Sequence, residues 1–203
     1  MRILALSDRV VDLLYGPGLV RAIGPVDLII GCGDLPPEYL EYVVTQYNAP
    51  LLFVPGNHDP DDLSVPGGES IDGRVVTVRG VRVAGLGGSR RYKPVGRHQY
   101  SESEMLGRVA RLGPKLVLPR LRRGRGVDVF VAHAPPLHIH DAPDLTHTGF
   151  TAFRSFLSAF RPRLMLHGHV HVQRNLETTS TRFLDTEVIN VYPYRRIDVE
   201  PGR

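Results

Sequence analysis

Five short apolar runs recur along the chain, at residues 3–6, 28–30, 51–54, 129–131 and 164–166, and each gives way at once to a polar cluster. Uninterrupted apolar runs of this length fit strands buried on both faces. Between them the periodicity changes. Residues 38–47 read as a helix, and a second helical stretch opens at Ser101, where the serine caps the first turn and Glu104 bonds back to it. Pro114 and Pro119 are expected to divide that stretch, because proline lacks an amide proton and clashes with the preceding turn. A further helix is expected over about 150–160, with apolar residues at 150, 153, 156, 157 and 160 on one face and a stop at Arg161-Pro162. Two alternating pairs, 75–78 with 81–84 and 182–184 with 188–191, flank Gly80 and Asp185-Thr186 and read as hairpins. Strands alternating with helices in one part and hairpins in another predict an α/β fold with mixed sheets.

Composition narrows the setting. At 203 residues, a single domain spanning 1–203 is expected, since the Pro/Gly-rich stretches 60–68 and 87–97 are too short for linkers and no repeat recurs. With 42% hydrophobic and 23% charged residues the chain is ordered. A net charge of +4 permits a nucleic-acid partner without demanding one. No apolar run approaches the roughly 18–20 residues of a membrane span, so no membrane partner is expected. The chain enters a strand pattern at once, without a signal-peptide region, and Cys32 is its only cysteine, so a cytoplasmic location is expected. Nothing in the sequence speaks to oligomeric state. Nine histidines against one cysteine exclude a thiolate zinc site, and any metal must be held by N and O ligands.

The polar clusters at the five strand ends are Asp8, Asp34, Asn57-His58-Asp59, His133, and His169 with His171. In α/β sheets the loops at the carboxyl ends of strands converge on one edge, where ligands bind. Carboxylate, amide oxygen and imidazole together suit Mn, Fe or Zn better than Ca or Mg, with Mn favoured. One carboxylate can bridge two ions, and two ions about 3.5–4 Å apart clamp both the attacking and leaving oxygens of a phosphoryl displacement. One or two divalent ions and hydrolysis of a small phosphoester are the expectation.

These residues resemble the calcineurin-like metallophosphoesterases. The matching motifs are Ser7-Asp8, Gly33-Asp34, Gly56-Asn57-His58-Asp59, Ala132-His133-Ala134-Pro135-Pro136 and Gly168-His169-Val170-His171, in the family's order. The resemblance implies two mixed β-sheets packed as a sandwich and flanked by helices, with two divalent metals at the strand ends. It implies that Asp34 bridges the metals, that Asn57, His133 and His169 complete one site, and that Asp8 and His171 hold the other. It implies for His58 a donor to the phosphate or the leaving oxygen, with Asp59 fixing its tautomer. The chain departs from the family's D-x-H motif, because Val10 stands where a metal-binding histidine is expected. Arg9 beside that vacancy either reaches the phosphate oxygens bidentately or is a loop residue facing solvent or paired with Asp12.

The preferred reading is a metal-dependent phosphodiesterase. Val10 keeps open a catalytically weakened scaffold or protein-binding module of the same fold, and the basic runs at 120–125 and 90–93 are the only encouragement for a nuclease, which is not favoured. The 120–125 run reads better as a helix end. Residues 87–100 are a candidate pocket loop offering Arg90, Arg91 and Tyr92. His138, His140 and His147, in a loop following His133, read more readily as surface residues than as substrate contacts, and His167 as a hydrogen-bonded neighbour of the site.

Overall fold

The computed structural model describes residues 1–172 and 178–199. The chain begins with β1 (Arg2–Leu6), a single 3-10 turn at Asp12–Leu14, α1 (Leu19–Ile23), β2 (Leu28–Gly31), α2 (Pro37–Tyr47) and β3 (Leu51–Phe53). It continues through β4 (Gly68–Ser70), β5 (Arg74–Val78), β6 (Val81–Leu86), β7 (Ser89–Arg90), β8 (Gln99–Tyr100) and α3 (Glu102–Arg123). The last part is β9 (Val129–Ala132), α4 (Thr151–Phe160), β10 (Leu164–His167), β11 (Ser180–Phe183), β12 (Thr186–Asn190) and β13 (Tyr194–Asp198).

All five apolar runs are strands, and they sort into two sheets. The first has the order β13-β1-β2-β3-β4 and the second β11-β12-β10-β9-β6-β5, with β7 and β8 forming a small ribbon. β1, β2 and β3 run parallel, as do β6, β9 and β10, while β13, β5 and β11 pair antiparallel at the edges. Both expected hairpins form, with Val75 opposite Ala84 and Thr181 opposite Val188.

Strand alternation builds the layers. In β1, Ile3 and Ala5 face the second sheet and join Val129, Val131, Leu164 and Leu166 in the middle of the sandwich. Leu4 and Leu6 face the other way, onto Leu19 of α1 and Tyr39, Leu40 and Val43 of α2. On the outer face of the second sheet, Phe130 stacks on Phe156 of α4, and Met105, Val109, Leu112 and Leu116 of α3 pack beside it. Burial of each large apolar side chain contributes roughly 1.5–3 kcal/mol. The result is two mixed sheets flanked by helices.

One expectation fails. α3 is not divided at its prolines but runs through Pro114 and Pro119 for 22 residues, opened by the Ser101–Glu104 capping box. Pro119 leaves the Lys115 carbonyl without its helical donor, and the Arg82 guanidinium supplies one at 2.9 Å. Its buried face against the second sheet then outweighs the roughly 3 kcal/mol disfavour of an interior proline. Among the described residues no helix is long and apolar enough to cross a membrane.

Candidate metal centre

The parallel strands of both sheets end at a shared edge. Leu6 of β1 lies beside Gly31 of β2, so the turns carrying Asp8 and Asp34 emerge side by side, and the Asp8 amide donates to the Gly33 carbonyl at 3.1 Å. Three bonds order this shared edge: Gly168 N to the His133 carbonyl at 3.0 Å, His169 N to Asp8 Oδ2 at 2.8 Å, and His133 Nδ1 to the Cys32 carbonyl at 2.8 Å. The first of these aligns the ends of β9 and β10, and the other two cross between sheets. Asp8, Asp34 and His169 all adopt left-handed backbone, with φ of 62°, 57° and 67°. Such conformations cost roughly 1–2 kcal/mol each outside glycine and concentrate at functional sites.

His133 is fully buried at the centre. Since Cys32 takes the Nδ1 proton, Nε2 faces the cluster, 3.1 Å from Asn57 Oδ1 and 3.4 Å from Asp34 Oδ2. Asp8, Asp34 and His133 each offer a ligand atom, all within 4.8 Å of one another. Around them an open cleft of about 270 Å³ is lined by Asp8, Asp34, His58, Thr146, His147, His169 and His171. His169 Nε2 donates to the Thr146 carbonyl at 2.8 Å, which leaves Nδ1 as its free nitrogen. His171 stacks on Tyr192 and brings Nε2 within 3.6 Å of Asp8 Oδ1.

The electrostatics are those of a negative site seeking a cation. Burial alone would lower the His133 pKa, but Asp34 and Asp8 more than offset it and hold it at about 9. Asp34, which burial would raise, is held at about 2 by His133 and the His58 amide. The hydrogen bond from His171 leads the forces that keep Asp8 low against burial. His169 moves the other way, down to about 4, because of burial and the neighbouring His133.

Asp59 corrects an expectation. It does not hold the His58 ring. Its buried Oδ2 accepts the backbone amides of Asp34 at 2.8 Å and Gly56 at 2.7 Å, so it clamps two site turns together. A buried carboxylate needs donors, and these amides supply them. His58 is exposed at the cleft, with its amide donating to Asp34 Oδ1 at 2.8 Å.

Several neighbours resolve as well. Val10 packs against the core between the first sheet and its helices. Arg9 is exposed, does not line the cleft, and forms no ion pair with Asp12. In the 87–100 segment, Tyr92 reaches the site by accepting from Asn57 Nδ2 at 3.2 Å, whereas Arg90 and Arg91 turn to Glu102 and Glu104 of α3. His167 is buried against His140, which bonds Thr181. The 120–125 run is a helix end, where Arg120 donates to the Gly124 and Ala159 carbonyls. Thr146 and His147 are the cleft residues that strand-end reasoning missed. They come from a loop, and only the His/Asp/Pro richness of residues 134–147 signalled them.

Sheets, flanking helices and this donor cluster together define a metallophosphoesterase-fold protein. The chain belongs to the calcineurin-like phosphoesterase family, whose model matches residues 7–173. Members of that family bind divalent metals, and Asp8, Asp34 and His133 form the candidate site here. Among solved structures, one crystal structure matches with a TM-score of 0.63 at 16% identity, covering 94% of this chain and 90% of that chain. That likeness is one of fold. Vps29 from Chaetomium thermophilum matches at 14% identity with a TM-score of 0.42, covering 98% of this chain and 82% of its own. The sulfate thiohydrolase SoxB from Thermus thermophilus matches at 13% identity and 0.44, covering 99% of this chain and 54% of its own. No curated protein matches the sequence.

Proposed function

We propose that the protein is a metal-dependent phosphoesterase acting on a small phosphodiester. The observation that carries this reading is the meeting of Asp8, Asp34 and His133 from both sheets, with ligand atoms within 4.8 Å. The donor set fits a divalent ion. Two carboxylates press on an imidazole that they drive to hold a proton, and among the described residues no Lys or Arg lines the cleft to balance them. In this reading Asp34, Asn57, His133 and His169 would hold one ion, and Asp8 and His171, with Asp34, would hold a second. Their N and O donors suit Mn first, then Fe or Zn. Bound ions supply Lewis acidity at the phosphoryl oxygens and a water nucleophile near neutral pH.

The chain's own residues do the rest. The Cys32 carbonyl fixes the His133 tautomer, and Tyr92 Oη, by accepting from the Asn57 amide nitrogen, turns Asn57 Oδ1 toward the cluster. Asp59 holds the Asp34 and Gly56 turns in place. His58 protonates the departing oxygen from the rim. Among the described residues the cleft is lined by no arginine or lysine, which favours the single charge of a diester over a dianionic monoester. In this reading residues 1–203 act as one domain, and the lone buried thiol of Cys32 suits the cytoplasm.

Hydrolysis of bis-p-nitrophenyl phosphate and p-nitrophenyl phosphate by the full chain, with and without Mn²⁺, tests the reading. The expected result is Mn²⁺-dependent turnover that prefers the diester, with kcat reduced about 10²- to 10³-fold in Asn57→Ala and His58→Ala. Metal-loaded protein that hydrolyses neither ester overturns it in favour of a scaffold.

A further inference from the structure

The two sides of the cluster are unequal. Beside Asp34, one side offers Asn57, His133 and His169, whereas the other offers Asp8 and a half-exposed His171, and Val10 turns its side chain into the core. A further imidazole, from another element, lines the cleft beside His169. His147 lines the same cleft as Asp8, Asp34 and His171, with its ring 5.1 Å from that of His169.

Its orientation is built. His147 Nδ1 donates to the Asp144 carboxylate, 2.9 Å from each oxygen, and the same carboxylate accepts the backbone amides of Thr146 and His147 at 3.0 Å. Thr148 Oγ1 closes the turn on the Asp144 carbonyl at 2.7 Å. With its Nδ1 proton committed to Asp144, a neutral His147 keeps its lone pair on Nε2. A carboxylate–imidazole pair of this kind is the arrangement that orients histidine ligands and raises their basicity. The neighbouring Thr146 carbonyl holds His169, so one loop sets two imidazoles at the cleft.

We propose that His147 is an additional metal ligand at this centre, with Asp144 as the residue that positions it. The inference rests on the metal-binding reading above. Its test is binding itself, with Mn²⁺ alone as the probe: ions per chain by elemental analysis and affinity by calorimetry, on full chains whose circular dichroism matches wild type. Wild type is expected to bind two ions. His147→Ala is expected to bind the second about 100-fold more weakly and Asp144→Asn about 10-fold more weakly, the range seen when support of a ligand is removed. His147→Cys loaded with Co²⁺ adds a readout that a purely structural role does not move, a thiolate-to-cobalt charge-transfer band. Wild type and His147→Ala binding two ions with equal affinity, or His147→Cys without the band, overturns this inference and leaves the metal reading standing. Wild type that binds no divalent ion overturns both.

Discussion

His133 shows how one side chain is specified from several directions. Its nitrogens are assigned by partners far away in sequence, Cys32 on one side and Asn57 with Asp34 on the other. The motif made the residue legible but not its tautomer, because that depends on a backbone carbonyl from another sheet. His147 was harder still. Among His138, His140 and His147 nothing in the sequence marks one, and only the turn closed on Asp144 separates them. Away from the site, Asp27 gives a pH prediction. It accepts Arg2 N at 2.8 Å, Arg2 Nε at 2.9 Å and Arg2 Nη2 at 2.8 Å, and these bonds hold its carboxyl well below the usual range. A carboxyl whose folded pKa is depressed adds stability above its unfolded pKa of about 3.9, and that stability is lost as pH falls toward the folded value. Because the pair is partly exposed, Asp27→Asn is expected to cost about 1 kcal/mol at neutral pH. The cost should shrink below about pH 4, as followed by urea denaturation across pH.

At the level of elements, the sequence showed existence and type better than boundaries. α2 and α4 fall within a residue of their expected limits because their apolar faces repeat cleanly. α3 departed from expectation because the partner that satisfies its proline gap, Arg82, lies on β6. That account makes a coupling testable. Arg82→Met should remove this donor to the exposed Lys115 carbonyl and cost about 0.5–1.5 kcal/mol. In a Pro119→Ala background the helix regains its own donor, so the same change should cost less, and a double-mutant cycle by chemical denaturation measures the difference. Equal costs in both backgrounds would show that the guanidinium is not replacing the lost helical bond.

On the scale of the whole molecule, local pattern marked strands but could not assign them to sheets. The five motif-bearing strands divide three and two between sheets, and the site exists because the strand ends of both packed sheets open onto one rim of the sandwich. β13 and the β7–β8 ribbon went unmarked because they are short or half-exposed and lack a clean alternation. Gly168 is the point of closest approach. A Cβ there would collide with Ser7 Oγ and press on the Asp8 carboxylate, which already accepts from Ser7 and from His169 N. Overpacking of this kind costs typically about 1–3 kcal/mol. Gly168→Ala is therefore expected to lower Tm by about 2–10 °C. It should also weaken Mn²⁺ binding by displacing Asp8, whereas unchanged metal affinity would show that the approach of the sheets does not set the site.

The central claim is that the two sheets come together to hold divalent metal. Anomalous diffraction from crystals of the full chain grown with Mn²⁺ tests it most directly. The account predicts a peak bonded to Asp8, Asp34 or His133 at about 2.0–2.3 Å, the usual range for such N and O ligands. Crystals whose anomalous map is flat at this edge at saturating Mn²⁺ would contradict it.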